Sequence, residues 1–296
     1  MEDRFILDCK GIPLDCRPGG PQGIHVMGIL NVTPDSFSDG GIYIDISTAL
    51  RRTEQMLEEG AKIIDIGGES TRPRGNAYGQ GADIVTPDQE RSRVLPVIEA
   101  IQSKFPEALI SIDTYKPDIA KEAIEAGAHI INDITGLRLY PETAKIAQSL
   151  GVPLILMHSL GQPGEMPHQE VYSDVVVAVK ESLARAVQIG EEAGLTQMVT
   201  DPGFGFGKTP QENLALMNHV DDFLALGYPV LVGISRKSSI GVLLGNKNAP
   251  APVNRRLFGT LGATAVAVLR GATIVRTHDV QPTVEMLKIL METAHA

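Results

Sequence analysis

The sequence lacks tryptophan altogether and has only two cysteines, Cys9 and Cys16, which lie close together near the amino terminus. No second Cys or His pair follows at the spacing of a zinc site, so the sequence predicts no zinc centre. We interpret both residues as free thiols in a reducing compartment, with a disulfide as the less favoured alternative. The cysteines therefore indicate neither a metal site nor a disulfide-stabilised scaffold.

Excess positive charge is also missing. The chain of 296 residues has 26 Lys and Arg against 36 Asp and Glu, a formal net charge of −10. This balance argues against nucleic acid or an anionic membrane surface as the main partner. No segment approaches the roughly 18 apolar residues of a membrane span. The amino terminus is acidic and has no long apolar run, so we expect no signal or transit peptide and a cytoplasmic location.

Short apolar segments rich in β-branched residues recur along the chain, and each ends in polar residues before a helical stretch. Continuous apolar runs of this length indicate strands buried on both faces, as in a parallel sheet. There are eight: IHVMGILNV from Ile24, KIIDIGG from Lys62, LISIDT from Leu109, HIINDI from His129, PLILMH from Pro153, QMVTDPG from Gln197, PVLVGIS from Pro229 and TIVRTHD from Thr273.

Helix signals separate these runs. Thr86 and Thr209 each precede a proline and are followed three residues later by Gln or Glu, the pattern of a capped helix start. Eight β/α units over about 250 residues predict a TIM (β/α)8 barrel, and an open doubly wound sheet is the alternative. We predict an N-terminal β-hairpin or extension over residues 1–23 and a single barrel domain over 24–296, with the hairpin covering one end of the barrel.

The stretch TDPGFGFGKT, from Thr200 to Thr209, looks at first like a phosphate-binding loop. The nucleotide motif would require glycine at Pro202, which has no N–H to donate to a phosphate. The dinucleotide motif fails too, because Gly203, Gly205 and Gly207 are evenly spaced. The stretch therefore needs another explanation, in which Asp201 matters more than the glycines that follow it.

Catalytic groups of a TIM barrel cluster at the carboxyl ends of the strands. An isolated Asp or Asn after a strand is usually a turn former or a helix cap. Here almost every predicted strand is followed by a polar side chain, and a full ring of them is harder to explain by turns alone. The candidates are Asn31, Thr71, Arg72, Asp113, Asn132, His158, Asp201, Lys237, Arg276 and His278.

Eight segments, in order from Met27 to Val280, resemble the dihydropteroate synthase family of pterin-binding TIM barrels. They are MGILNVTPDSFSDGG, DIGGESTRP, SIDTYKP, INDITG, LMH, DPGFGFGK, GISRKS and RTHDV. The resemblance implies a transferase that joins 6-hydroxymethyl-7,8-dihydropterin diphosphate to p-aminobenzoate. The products would be 7,8-dihydropteroate, for folate synthesis, and pyrophosphate.

A pterin presents a flat edge of donors and acceptors, which carboxylates and an amide can bind in a buried slot. The resemblance implies that Asp113, Asn132 and Asp201 hold this ring and that Lys237 meets its carbonyl side. On this interpretation the glycines after Asp201 allow a tight turn that exposes Phe204 or Phe206 beside the second substrate.

The diphosphate calls for cations, and Arg276 and His278 alternate at the end of the last strand, so they share one face. The resemblance implies that Asn31 binds Mg²⁺ together with the diphosphate. It places p-aminobenzoate against several further residues, among them Phe206. These are Phe37, Thr71, Arg72, Pro73, Phe206 and Ser238.

The chemistry needs no nucleophilic side chain. An electron-rich dihydropterin can stabilise a cation at its exocyclic methylene, so pyrophosphate could leave before the arylamine attacks. We expect Asp113, Lys237, Arg276 and His278 to be the catalytic residues, acting by position and charge. The resemblance also implies a homodimer. Two alternatives remain: a non-catalytic pterin-binding paralogue, and a methyltetrahydrofolate-binding barrel that passes a methyl group to a corrinoid protein.

Overall fold

The computed structural model describes residues 4–19, 23–33, 45–69, 85–161 and 172–294. The chain begins with an antiparallel hairpin of two strands, β1 (Ile6–Cys9) and β2 (Ile12–Asp15). Lys10 and Gly11 form its turn with positive φ angles of 56° and 89°. The predicted N-terminal hairpin is therefore confirmed.

Eight parallel strands follow, ordered β8-β7-β6-β5-β4-β3-β10-β9. A parallel bridge between Thr200 and Val230 brings the two end strands together, so the sheet curls into a barrel. The predicted TIM barrel is confirmed, and the open sheet is wrong. The strands are β3 (His25–Asn31), β4 (Ile63–Gly67), β5 (Leu109–Asp113), β6 (Ile130–Asp133), β7 (Leu154–Met157), β8 (Met198–Asp201), β9 (Leu231–Val232) and β10 (Ile274–Thr277).

Helices surround the barrel, and both predicted caps are present: the Thr86 and Thr209 side chains accept from the backbone N–H three residues later. No helix among the described residues is long and apolar enough to cross a bilayer. The helices are α1 (Ile46–Glu58), α2 (Pro87–Lys104), α3 (Pro117–Glu125), α4 (Thr143–Leu150), α5 (Val175–Glu192), α6 (Pro210–Asn218), α7 (Val220–Leu224), α8 (Ser238–Leu244), α9 (Leu257–Leu269) and α10 (Val280–Ala294), with a 3₁₀ turn at Val253–Arg255.

One strand is much shorter than its sequence run. The run from Pro229 to Ser235 yields only β9, two residues long. Pro229 has no N–H for the ladder, and the chain turns soon after β9, where the Lys237 N–H donates to the Ile234 carbonyl. The division of the chain at residue 24 into an extension and one domain stays a prediction.

The hairpin closes the amino-terminal end of the barrel. Four of its residues, Leu7, Cys9, Leu14 and Cys16, are at most 1% exposed and form one cluster with a single inward residue from each strand. Both cysteines are free thiols. We call this cluster the apolar floor, and its strand residues are Met27, Ile63, Leu109, Ile130, Ile155, Val199, Leu231 and Ile274.

Strand geometry determines what lies above the apolar floor. Side chains alternate between the two faces of a strand, so the residues two positions after the floor residues also point into the barrel. On β4, β6, β8 and β10 those positions are occupied by Asp65, Asn132, Asp201 and Arg276. Polar groups thus collect inside the barrel toward its carboxyl end.

Candidate active site

Arg276 lies at the centre of this polar layer. Its Nε donates to Oδ2 of Asp65 at 2.6 Å, and its Nη2 donates to Oδ2 of Asp113 at 2.7 Å. Burial alone would lower the pKa of Arg276, but the two carboxylates raise it, so the guanidinium stays charged. Within the described part of the chain two of the five N–H groups of the arginine are thereby used, which leaves three that an anion could accept from.

Asp65 was missed at the sequence level. Its side chain is fully buried, and besides Arg276 it accepts hydrogen bonds from Nδ2 of Asn132, at 3.4 Å to Oδ1 and 3.3 Å to Oδ2. The signal was a charged residue in the middle of the apolar run KIIDIGG, because a buried charge requires a partner. The residue orients two predicted site residues at once.

Asp113 is held at the end of β5, in register with Gly67 on one side and Asn132 on the other. Burial raises its pKa to about 7, the charge of Arg276 opposes this shift, and the neighbouring Asp65 adds to it. A group with this raised pKa takes up a proton as the pH falls through neutrality. Asp113 is therefore poised between a carboxylate and an acid at physiological pH.

Asp201 closes β8 and is 5% exposed. Its Oδ1 accepts the N–H of Gly203 at 2.7 Å. Burial raises its pKa, whereas this hydrogen bond and the nearby cations Lys237, Lys208 and Arg276 lower it. The structure thus places Asp201 in the same polar interior as the other strand-end residues.

The glycines after Asp201 have the backbone geometry of the predicted tight turn. Gly203, Gly205 and Gly207 have φ angles of 70°, 83° and 68°, in the left-handed region that glycine tolerates best. A Cβ on Gly203 would lie 1.9 Å from the carbonyl oxygen of His158, which leaves room for no other residue. Of the two aromatic candidates in this turn, Phe204 is buried in the core and Phe206 is half-buried against Lys237.

Lys237 immediately precedes α8 and extends over the ring of Phe206, with its Nζ 3.7 Å from the ring centroid. Burial, and then the charge of Arg276, lower its pKa to about 7, while Asp201 and Asp113 oppose the shift. Ser238, the first residue of α8, is half-buried beside it. The ammonium thus lies between the carboxylates and an aromatic surface.

His278 contacts Ser235 through Nδ1 at 3.1 Å, and its carbonyl accepts from Arg52. Burial, followed by the positive charges of Arg276 and Arg236, lowers its pKa to about 3. The imidazole is therefore neutral at physiological pH and offers a hydrogen bond rather than a charge. His278 lies just beyond the end of β10, close enough to Arg276 for the charge of the guanidinium to lower its pKa.

The remaining predicted residues are more scattered. Asn31 ends β3 with its Oδ1 beside Gly67. His158 is buried edge-on to Tyr172, and burial lowers its pKa to about 3, so it stays neutral. The other predicted contacts to p-aminobenzoate lie outside the described residues: Phe37, Thr71, Arg72 and Pro73.

A TIM barrel closed at one end, with carboxylates, an amide and cations gathered toward the other, is the arrangement of an enzyme whose active site lies at the carboxyl ends of its strands. The family model described as "Pterin binding enzyme" matches residues 27–278. The chain belongs to this family of pterin-binding enzymes.

The similar proteins share one name, dihydropteroate synthase. The chain is 43% identical over 274 residues to a dihydropteroate synthase of Haemophilus influenzae, covering 92% of this chain and 94% of that one. It is 45% identical over 267 residues to that of Bacillus subtilis, covering 90% and 87%. The structure of the Xanthomonas albilineans dihydropteroate synthase with 4-aminobenzoic acid matches at 39% identity and a TM-score of 0.86, covering 99% of both chains. The same enzyme in complex with 7,8-dihydropteroate gives 36% identity and a TM-score of 0.82, covering 98% of this chain and 99% of that one.

We predict that Asp65→Asn lowers the pKa of Asp113 below about 7, because it removes a neighbouring negative charge and leaves Arg276 to Asp113 alone. Titration of the Asp113 carboxyl by NMR in the substrate-free protein measures the shift. The variant should also lose about 3–5 kcal/mol in the free energy of unfolding, because it removes one charge of the buried ion pair with Arg276.

Asp133→Asn is the matched control, because Asp133 is also a buried carboxylate at a strand end but bonds only to its own turn at Thr135 and Leu137. It should reduce stability and leave the titration of Asp113 unchanged. An unaltered Asp113 titration in Asp65→Asn would show that Asp65 does not share Arg276 in solution.

Proposed function

We propose that this chain condenses 6-hydroxymethyl-7,8-dihydropterin diphosphate with p-aminobenzoate to form 7,8-dihydropteroate and pyrophosphate. The observation that carries the proposal is the guanidinium of Arg276, held by two carboxylates beside Asn132 with further N–H groups to spare. This arrangement offers acceptors for a heterocycle and a fixed cation for a diphosphate in one pocket. The relatives named above are dihydropteroate synthases, and this supports the assignment.

The pterin ring would occupy the polar layer. Asp113 and Asp201 accept from its N–H and amino groups, and Asn132 can both donate and accept. The charges of Asp201 and Asp113 both raise the pKa of Lys237, so the lysine lies near both carboxylates. Its ammonium would donate to the carbonyl side of the ring. A buried slot of this kind favours a ligand that satisfies each group, because a mispaired buried polar atom costs about 1–3 kcal/mol.

Pyrophosphate departure is the step at which charge develops. The bond between the exocyclic methylene and the diphosphate oxygen breaks, and its electron pair leaves with the oxygen. Arg276 stabilises the departing oxygens through its remaining N–H groups, and the neutral imidazole of His278 adds a hydrogen bond. The Asp113 carboxylate offsets the positive charge left on the pterin. The arylamine nitrogen then bonds to the methylene and releases a proton.

Mg²⁺ fits the residues present at the diphosphate end. Among the described residues no group of three or more His, Cys, Asp and Glu side chains is suited to a metal, and the ligand that we propose is the neutral side-chain oxygen of Asn31. Magnesium typically keeps several waters and is held by substrate phosphates together with few protein ligands. Bound there, the ion would neutralise charge on the leaving diphosphate.

The p-aminobenzoate would lie nearer the mouth, against Phe206 and Ser238. Phe206 offers its ring next to Lys237, and Ser238 begins α8 beside it. The predicted contacts from Phe37, Thr71, Arg72 and Pro73 belong to the same proposal. The cytoplasmic location also stays a prediction.

The direct test is incubation with dihydropterin diphosphate, p-aminobenzoate and Mg²⁺, with both products measured. We expect pyrophosphate and 7,8-dihydropteroate in equal amounts and a loss of activity with a chelator, restored by added Mg²⁺. Asn31→Ala should raise the Mg²⁺ concentration needed for half-maximal rate. Binding of pterin without either product would instead indicate a non-catalytic paralogue, and methyl transfer from methyltetrahydrofolate would indicate the corrinoid-linked class.

We predict that Arg276→Ala separates the two ends of the pocket. Binding of 6-hydroxymethylpterin, which has no diphosphate, should weaken far less than pyrophosphate release slows, when calorimetry is done at a pH high enough to ionise Asp113 and Asp201 in the variant. Pyrophosphate release should slow about a hundred- to a thousandfold, because a fixed charge at a departing oxyanion contributes roughly 3–4 kcal/mol in the transition state. Equal losses in binding and release, in a variant with normal circular dichroism, would mean that Arg276 supports the pocket as a whole.

We also propose a homodimer that forms through α9. Along this helix Phe258 is 83% exposed, Val266 41% and Leu269 60%, and a helical wheel places all three on one face with Gly262. A row of exposed large apolar side chains is costly in water and is typical of a protein interface. A second copy of the chain can cover such a face with the same face of its own α9.

Phe258→Asp should therefore convert a dimer into a monomer, measured by light scattering during size-exclusion chromatography. Val177→Asp is the control, since Val177 is 50% exposed on α5, away from this face, and its change should leave the mass unaltered. A wild-type protein that is monomeric at micromolar concentration would contradict the proposal.

A further inference from the structure

Lys208 is a buried cation to which neither the sequence nor the proposed mechanism gives a role. It ends the turn that follows Asp201 and is only 8% exposed. Its Nζ donates to two backbone carbonyls of that turn, Gly203 at 2.9 Å and Phe206 at 3.0 Å. Burial lowers its pKa to about 7, and the Asp201 carboxylate opposes the shift. Burying a lysine ammonium costs free energy, which its hydrogen bonds to these carbonyl groups must offset.

The turn has little conformational preference of its own. Three of its residues are glycines with positive φ, and glycine populates many conformations at similar energy. Lys208 joins the carbonyl of Gly203 to that of Phe206 from inside the turn, so one ammonium selects one shape. Outside the turn, Asn213 of α6 accepts the N–H of Gly205 at 2.6 Å and donates to Ser239 of α8 at 3.0 Å.

Both ends of this shape carry site residues. At one end Gly203, whose carbonyl binds Lys208, donates its N–H to Oδ1 of Asp201. At the other end Phe206, whose carbonyl also binds Lys208, places its ring under the ammonium of Lys237. The ammonium of Lys208 is thus connected through Gly203 to Asp201 on the pterin side and through Phe206 to Lys237 on the arylamine side.

We propose that Lys208 is a positioning residue for both substrate-binding positions. By fixing the conformation of the turn, it orients Asp201 toward the pterin and holds Phe206 beside Lys237. Its charge has a second effect, since it favours the ionised form of Asp201. The assignment of the two substrate-binding positions rests on the proposed function, whereas the effect of Lys208 on the ionisation of Asp201 does not. No covalent step involves Lys208.

The charges around Asp201 determine what a pH profile should show. Among the residues that the structure describes, three cations act on it: Lys208 from its own turn, Lys237 from the start of α8 and Arg276 from β10. Removing one of them makes the carboxylate harder to ionise. Because ionised Asp201 accepts from the pterin, the pH below which pterin binding is lost should move upward.

Three substitutions separate the charge from the hydrogen bonds. Lys208→Met removes both, Lys208→Gln keeps a donor without charge, and Lys208→Arg keeps both. For Lys208→Met we expect pterin binding to weaken about tenfold or more at neutral pH, as one mispaired buried group predicts. We also expect the loss of pterin binding at low pH, which is the acid limb of the pH profile, to occur at a higher pH in this variant. The KM for p-aminobenzoate should rise. Lys208→Gln should lower that KM again while the acid limb stays displaced, and Lys208→Arg should restore the acid limb.

The measurements are calorimetric titration of 6-hydroxymethylpterin across neutral pH and separate kcat and KM values for each substrate. Lys180→Met, at a half-exposed lysine paired with Asp222, controls for the loss of a lysine elsewhere. Wild-type pterin affinity and pH profile in folded Lys208→Met would overturn the proposal. If Lys208→Met does not fold, identical acid limbs for Lys208→Gln and Lys208→Arg would overturn it. Pterin binding without turnover in the wild-type protein would contradict the proposed function, but the pterin titrations would still test the effect of Lys208 on Asp201.

Discussion

The pocket depends on one guanidinium shared by two carboxylates. Arg276 of β10 reaches Asp65 on β4 and Asp113 on β5, which are 211 and 163 residues away in the sequence. The interaction crosses the barrel interior and ties three strands together where their side chains would otherwise be buried charges. Removing one partner from a buried ion pair typically costs about 3–5 kcal/mol, so the three residues form a unit. The site is therefore organised before any substrate arrives, which lowers the reorganisation required during the reaction.

The alternation of side chains along parallel strands explains why this unit lies where it does. A single inward residue from each strand builds the apolar floor with the hairpin, and the next inward positions hold the charged and amide groups. The floor keeps water away from the underside of the polar layer, and electrostatic interactions are stronger in such a medium. The raised pKa of Asp113 and the lowered pKa of Lys237 both have burial as their first cause.

Much of this architecture could be predicted from the sequence because strand runs and caps are local signals. Strand-end residues such as Asp113, Asn132 and Asp201 followed from the barrel prediction alone. Asp65 did not, because it lies inside β4 rather than at the end of the strand, which is a glycine two residues later. The neutral state of His278 could not be predicted either, since its burial and its distance from Arg276 arise only when the chain is folded. The role of Lys208 could not be predicted either, because the neighbouring sequence does not determine the direction of a long flexible side chain.

The hairpin that seals the barrel has a kinetic consequence. With Leu7, Cys9, Leu14 and Cys16 filling the lower opening, every molecule that uses the pocket must enter and leave through the same mouth. If the pterin occupies the deep polar layer and the arylamine the shallower place beside Phe206, an arylamine that arrived first would stand in the path of the pterin. In that arrangement the heterocycle would bind first and the amine second, and the joined product would have to leave through the mouth before the next round could begin.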